Sequence, residues 1–154
     1  MADESLTIQD ALEVAIKEEI KAHNLYLNLS KKVESAATKL MLEELAAQEL
    51  GHQKLLEGVV AGGSYEQLSN AIPQQSTGIA DFLVETEPGA DATPQEVMIF
   101  AIKAEVKAYN FYKDLEAYFA NSELRDLFSR LAGEEQGHKA RLEDEYEQHF
   151  MREN

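Results

Sequence analysis

Two patterns of acidic and imidazole side chains recur in this chain at a constant spacing of 86 residues. Glu19 is followed by Ala22 and Tyr26, and Glu49 by His52; Glu105 is followed by Ala108 and Tyr112, and Glu135 by His138. Carboxylates and imidazoles together are ligands for divalent cations such as iron and manganese. A Glu-x-x-His pair presents both groups on one helix face, since three residues leave the side chains roughly 60° apart around the axis. Glu19 and Tyr26, seven residues apart, differ by only about 20°. Two Glu-x-x-His pairs, with one further Glu from each of two other helices, form the ligand set of a carboxylate-bridged two-metal centre in a four-helix bundle. The candidate ligands are therefore Glu19, Glu49, His52, Glu105, Glu135 and His138.

The face that carries them is otherwise apolar. Burying ionised carboxylates without partners is prohibitively costly, and two divalent cations would bring four positive charges to four carboxylates. A mixed oxygen and nitrogen donor set with open positions suits iron or manganese better than a closed zinc site. Tyr26 and Tyr112 have two readings: they hydrogen-bond metal-bound carboxylates and pass an electron, or they simply pack as core aromatics. Ala22 and Ala108, one turn from Glu19 and Glu105, are small enough to leave room for metal, bridging oxygen or oxidant. Gly51 and Gly137 point away from the metals and suggest close helix approach or a subunit contact, since glycine inside a helix costs about 1 kcal/mol relative to alanine. Glu18, Glu44 and Glu134 read as solvent-facing acids. His23, replaced by Tyr109 in the second half, reads as a peripheral packing or surface histidine, and His149 has no repeat partner.

Four helices must position these residues. The apolar periodicity predicts helix one over roughly 6–34, capped by Ser5 or Thr7, then a tight reversal at 35–38. A second helix runs to Gly62 and Gly63. Thr93, Pro94 and Glu96 combine a capping threonine, proline at the first helical position and a capping-box glutamate, opening helix three, which extends to about Phe119. Asn121 and Ser122 turn the chain into helix four. Residues 62–92 form a crossover, in which 77–84 could make a short helix. Between 8–57 and 94–143, 17 of 50 aligned positions are identical, so the helix pairs 6–61 and 93–150 are expected to pack about a pseudo-twofold axis. Glu19 lies 16 residues before position 35 and Glu49 lies 14 after it, which puts both at one height. With the axis perpendicular to the bundle, the two half-sites meet at mid-height, and the crossover must return the chain along about 38 Å of helix.

The composition agrees with one all-α domain spanning 1–154. The chain has 154 residues and is 44% hydrophobic, enough to bury a core. Without cysteine it has no disulfide framework and no thiolate ligand, which leaves carboxylates and imidazoles as metal donors. It shows no secretion signal and no run of 18 apolar residues, which reads as a cytoplasmic protein. A formal charge of −15 argues against nucleic acid and anionic membranes as partners.

The Glu-x-x-Ala-x-x-x-Tyr and Glu-x-x-His motifs, which cover both helical pairs, resemble the rubrerythrin branch of the ferritin-like superfamily. The resemblance implies an oxo- or hydroxo-bridged di-iron centre cycling between Fe2+ and Fe3+. Glu49 and Glu135 would be its bridges, Glu19 and Glu105 terminal carboxylates, and His52 and His138 terminal imidazoles. It implies an oxidoreductase that reduces hydrogen peroxide or reacts with dioxygen in protection against oxidative stress. The implied assembly is a homodimer, with domain swapping at the 58–93 crossover as a further arrangement. Two features depart from the family pattern. The four cysteines of a rubredoxin-like module are missing, so electrons must come from an external donor such as a rubredoxin-like protein. Ala108 stands where rubrerythrins commonly carry an additional glutamate. The six-ligand set that results is similar to that of bacterioferritins, which makes ferroxidation with iron storage the alternative function. Manganese remains open as the metal, and no methionine is placed to hold haem.

Overall fold

The computed structural model describes residues 6–62, 71–72, 88–120 and 124–149. Four long helices carry nearly all of the described chain: α1 (Ile8–Ser30), α2 (Ala36–Gly62), α3 (Pro94–Tyr118) and α4 (Leu124–His149). Two-residue strands, β1 (Leu6–Thr7) and β2 (Ala71–Ile72), pair antiparallel and tie the crossover backbone to the start of α1. The short helix expected at 77–84 lies outside the described residues.

Local chemistry sets the helix ends. Thr7 caps α1: its hydroxyl accepts from the Asp10 N–H, and the Asp10 carboxylate accepts from the Thr7 N–H. Thr93 and Glu96 form the same reciprocal pair at α3, with Pro94 in the first turn as its sequence predicts. The first reversal departs from expectation. Helix α1 stops at Ser30, and the turn occupies 31–35 rather than 35–38. Ala36 and Ala37 favour helix, and Ser35 serves as a cap, its hydroxyl accepting from the Thr38 N–H at 3.3 Å. Lys32 Nζ donates to the Ala90 and Ala92 carbonyls, anchoring the returning chain just ahead of α3.

Helices α1 and α2 pack closely along their length, as do α3 and α4, and the pairs meet through α1 with α3 and α2 with α4. Apolar residues form two core clusters. One joins Ile8, Leu12, Leu56, Phe111, Phe128 and Leu131; the other joins Tyr26, Leu29, Leu42, Leu45, Met98 and Leu142. The first gathers the N-terminal half of α1, the C-terminal halves of α2 and α3, and the N-terminal half of α4; the second gathers the complementary halves. Helix α3 therefore runs antiparallel to α1, the crossover returns the chain to the far end, and the pseudo-twofold axis lies across the bundle. This is a ferritin-like four-helix bundle with the repeat-related glutamates and histidines between its two apolar cores.

Candidate metal centre

At the waist of the bundle, all six residues singled out by the repeat are buried, each with no more than 3% of its surface exposed. Their donor atoms fall into two overlapping groups. Glu19, Glu49, His52 and Glu135 form one, and Glu49, Glu105, Glu135 and His138 the other; within each, the donor atoms lie within 4.8 Å of one another. Glu49 and Glu135 belong to both groups, the geometry a bridging carboxylate requires. Glu19 with His52 and Glu105 with His138 flank them at either side. The two imidazole rings face each other nearly parallel, at 5.8 Å between centroids and 10° between planes.

Both imidazoles turn Nδ1 inward. His52 Nδ1 lies 3.0 Å from Glu19 Oε2 and 3.0 Å from Glu49 Oε1, while His138 Nδ1 lies 3.1 Å from Glu135 Oε1 and 3.5 Å from Glu105 Oε2. Yet both oxygens of Glu49, Glu105 Oε2, Glu135 Oε1 and His138 Nδ1 are buried without a hydrogen-bond partner. Buried polar atoms are seldom left so, and a cluster of them is explained by an ion that completes their coordination. Four carboxylates and two neutral imidazoles are matched in charge by two divalent cations. The donor set thus fits two metal ions.

The electrostatics point the same way. Burial, then the charges of Glu19 and Glu105, push the Glu49 carboxyl well above the usual carboxylate range; burial and the charges of Glu105, Glu49 and Glu19 do the same to Glu135. Burial works against the charged form of His138, but the carboxylates of Glu105 and Glu135 prevail and push it up to about 9. His52 is likewise raised, burial being outweighed by Glu19 and Glu134. In the metal-free protein, acids hold protons and imidazoles gain them; bound cations would displace both.

Tyr26 and Tyr112 join the cluster. The Tyr26 hydroxyl donates to Glu105 Oε1 at 2.6 Å and the Tyr112 hydroxyl to Glu19 Oε1 at 3.1 Å, so each tyrosine holds the carboxylate of the opposite half. Burial, and next the charge of Glu105 for Tyr26 and of Glu19 for Tyr112, keep both phenols protonated well above their ordinary range. Their rings also belong to the apolar clusters, so each tyrosine both hydrogen-bonds a cluster carboxylate and packs in the core. Ala22 and Ala108 line a cavity of about 60 Å³ between α1 and α3, which reaches Glu19, Glu49, Glu105 and Glu135.

Several expectations need correcting. Glu134 does not simply face solvent: its Oε1 lies 2.8 Å from His52 Nε2, and its Oε2 accepts from Arg130 Nε at 2.7 Å. Gln48, its counterpart in the repeat, places Oε1 2.5 Å from His138 Nε2. Sequence reasoning missed both as site residues, although each immediately precedes a ligand glutamate. Glu18 is also partly buried, at the cavity edge and paired with Lys21. Glu44 is as exposed as expected and pairs with Arg141. Among the described residues a Cβ at Gly51 or Gly137 would meet nothing within 4 Å, so no close approach between them requires glycine there. His23 packs between the first two helices, its Nδ1 2.7 Å from the Ala46 carbonyl oxygen, and His149 pairs with Glu145 away from the cluster.

A family model described as rubrerythrin matches residues 10–82 and 96–154, including all six candidate ligands. The chain belongs to the rubrerythrin family. Among solved structures, a Thermotoga maritima protein described as ferritin-like and diiron-carboxylate superposes with a TM-score of 0.77 at 21% identity, over 94% of this chain and 97% of that one. A hypothetical protein from Pyrococcus furiosus superposes with a TM-score of 0.64 at 27% identity, over 89% of this chain and 86% of that one. No curated protein matches the sequence. Membership of the rubrerythrin family agrees with a two-metal carboxylate cluster, and no helix among the described residues is long and apolar enough to cross a membrane.

Proposed function

We propose that this chain, as one ferritin-like domain, is a non-haem di-iron oxidoreductase that reduces hydrogen peroxide. The observation that carries this reading is the pair of overlapping donor groups sharing Glu49 and Glu135, buried with unpartnered oxygens. Glu19, Glu49, His52 and Glu135 would hold one ion, and Glu49, Glu105, His138 and Glu135 the other. Two ferrous ions would supply two electrons, so that one H2O2 and two protons give two waters, and an external donor then restores the ferrous pair.

The protein's own part is positioning, exclusion of water and proton management. Tyr26 and Tyr112 fix one oxygen each of Glu105 and Glu19, leaving the second oxygen of each carboxylate to face the centre. The flanking apolar clusters keep bulk water from both ends. The cavity beside Ala22 and Ala108, at about 60 Å³, gives a small oxidant such as hydrogen peroxide room beside the four carboxylates. Glu49 and Glu135, which burial lets hold protons in the metal-free protein, would release them as the ions bind.

Ferroxidation for iron storage uses the same ligands, and the symmetric six-residue set with Ala108 in place of a seventh carboxylate favours it as the second reading. Anaerobic iron loading followed by stopped-flow mixing separates the two. The peroxidase reading expects two irons per chain, oxidation by peroxide well ahead of dioxygen, and repeated turnover with a reductant. Dioxygen reacting as fast, with retention of many ferric ions per chain, would favour storage. Failure of Glu49→Ala with Glu135→Ala to abolish stoichiometric iron binding would reject the site.

A further inference from the structure

Glu134 and Gln48 occupy equivalent places in the repeat, one residue before Glu135 and Glu49, and each reaches the histidine of the opposite half. Their side-chain oxygens accept from the outer ring nitrogens of His52 and His138, which keeps the proton on Nε2 and leaves Nδ1 of both rings, facing the four carboxylates, as the nitrogen that would bind a metal. Here the symmetry stops. One partner is an acid and the other an amide. Arg130, one turn before Glu134, holds the second oxygen of that carboxylate at 2.7 Å and so fixes the first on His52. At the position equivalent to Arg130 the first half has Glu44, which pairs with Arg141. No guanidinium therefore reaches Gln48 from that position.

A hydrogen bond to a carboxylate is roughly twice as strong as one to a neutral amide oxygen. It draws the ring proton outward and makes the metal-facing nitrogen a better donor, and such outer partners typically change metal affinity about 10–100-fold. We infer that Glu134 makes the two metal positions unequal: the one served by Glu19 and His52 fills first and holds its ion more tightly than the one served by Glu105 and His138. Glu134 is a positioning residue in this scheme, acting through His52. The inference rests on the two-metal reading above, and it gives an otherwise symmetric centre a defined order of loading.

The test is titration of the metal-free protein with cobalt(II), followed by visible absorption and calorimetry. The wild-type chain should show two steps at least about 10-fold apart, and Glu134→Gln should weaken the first about 10–100-fold and merge the steps. Gln48→Glu should instead tighten the second step. The exchanged pair, Gln48→Glu with Glu134→Gln, should restore two steps with the preference moved. His138→Ala would then keep the tight step in the wild-type background and lose it in the exchanged one, a transfer that a merely structural role for Glu134 could not produce. Two bound ions whose steps ignore Glu134→Gln and the exchange would overturn the inference and leave the metal site intact. Absence of cobalt binding by the wild type would overturn both. Were Glu134→Gln to disturb folding by circular dichroism, Gln48→Glu decides alone: an unchanged second step rejects the inference.

Discussion

Replacing Glu49 by Gln should make the metal-free protein more stable while destroying its ability to hold two ions. Both Glu49 oxygens lie buried without hydrogen bonds, close to Glu105 Oε2 and Glu135 Oε1, which also lack partners. An unsatisfied buried group costs about 1–3 kcal/mol and more when charged. A glutamine of the same shape never ionises and donates to those neighbouring carboxylates, a gain of about 2–4 kcal/mol at a pH where the carboxyl would otherwise be charged. For a chain of this size each kcal/mol moves the melting temperature by about 2–4 °C, so Glu49→Gln should melt roughly 4–16 °C higher in chelator at such a pH.

The advantage should grow with pH. Burial and the charges of Glu19 and Glu105 raise the folded-state pKa of Glu49, so the native protein keeps this proton when the unfolded chain has lost it. Native stability from such a group is complete below the ordinary carboxylate range and is lost as pH rises through the elevated value. His138 acts in the same sense, its contribution complete below the ordinary imidazole value and lost toward about 9. Metal-free wild type should therefore weaken steadily between pH 5 and pH 9, in the order-of-magnitude window set by these groups, and the variant less so. Adding manganese(II) at 100 times its dissociation constant should restore about 2.7 kcal/mol to the wild type, an effect reduced or lost in the variant. Thermal unfolding by circular dichroism, with chelator and with metal, measures every part of this. A variant that melts below the wild type in chelator at high pH would show that the carboxylates are not in uncompensated excess.

Tyr112→Phe removes the hydrogen bond to Glu19 but keeps the ring against Phe128, so stability should fall by about 1 kcal/mol and the metal position beside Glu19 should weaken while two ions still bind; calorimetric titration checks both. Phe128→Ala empties a fully buried position in the first core cluster and should cost about 3–5 kcal/mol, read by urea denaturation; a loss below 1 kcal/mol would contradict the packing described. Gly51→Ala and Gly137→Ala should each add about 1 kcal/mol, since open space surrounds both positions; a loss of stability accompanied by a change of oligomeric state would place these glycines in a subunit contact instead.

The 86-residue repeat made much of this molecule legible in advance. Glu-x-x-His turned toward an apolar stripe requires compensation wherever it is buried, and the equal heights of Glu19 and Glu49 place the meeting point at mid-bundle. Helix starts at Thr7 and Thr93 were readable because capping is local chemistry. The turn between α1 and α2 comes a few residues earlier than its composition suggests because Ser, Ala and Thr satisfy both a turn and a first helical turn, and only the Ser35 to Thr38 bond decides. The crosswise contacts were not legible at all. Nothing in the spacing of Tyr26 reveals that it serves Glu105 rather than Glu19, and Glu134 is one acid among 29 acidic residues until α4 is laid against α2.

That crosswise bracing has a mechanical consequence. Each tyrosine serves the carboxylate of the opposite half, each outer acceptor serves the opposite histidine, and the two glutamates common to both donor groups come one from each half. Ions seated there would act as a clasp joining two hairpins, much as a covalent cross-link would in a chain that has no cysteine. Chelation should therefore loosen the seam between the hairpins before it unravels either one.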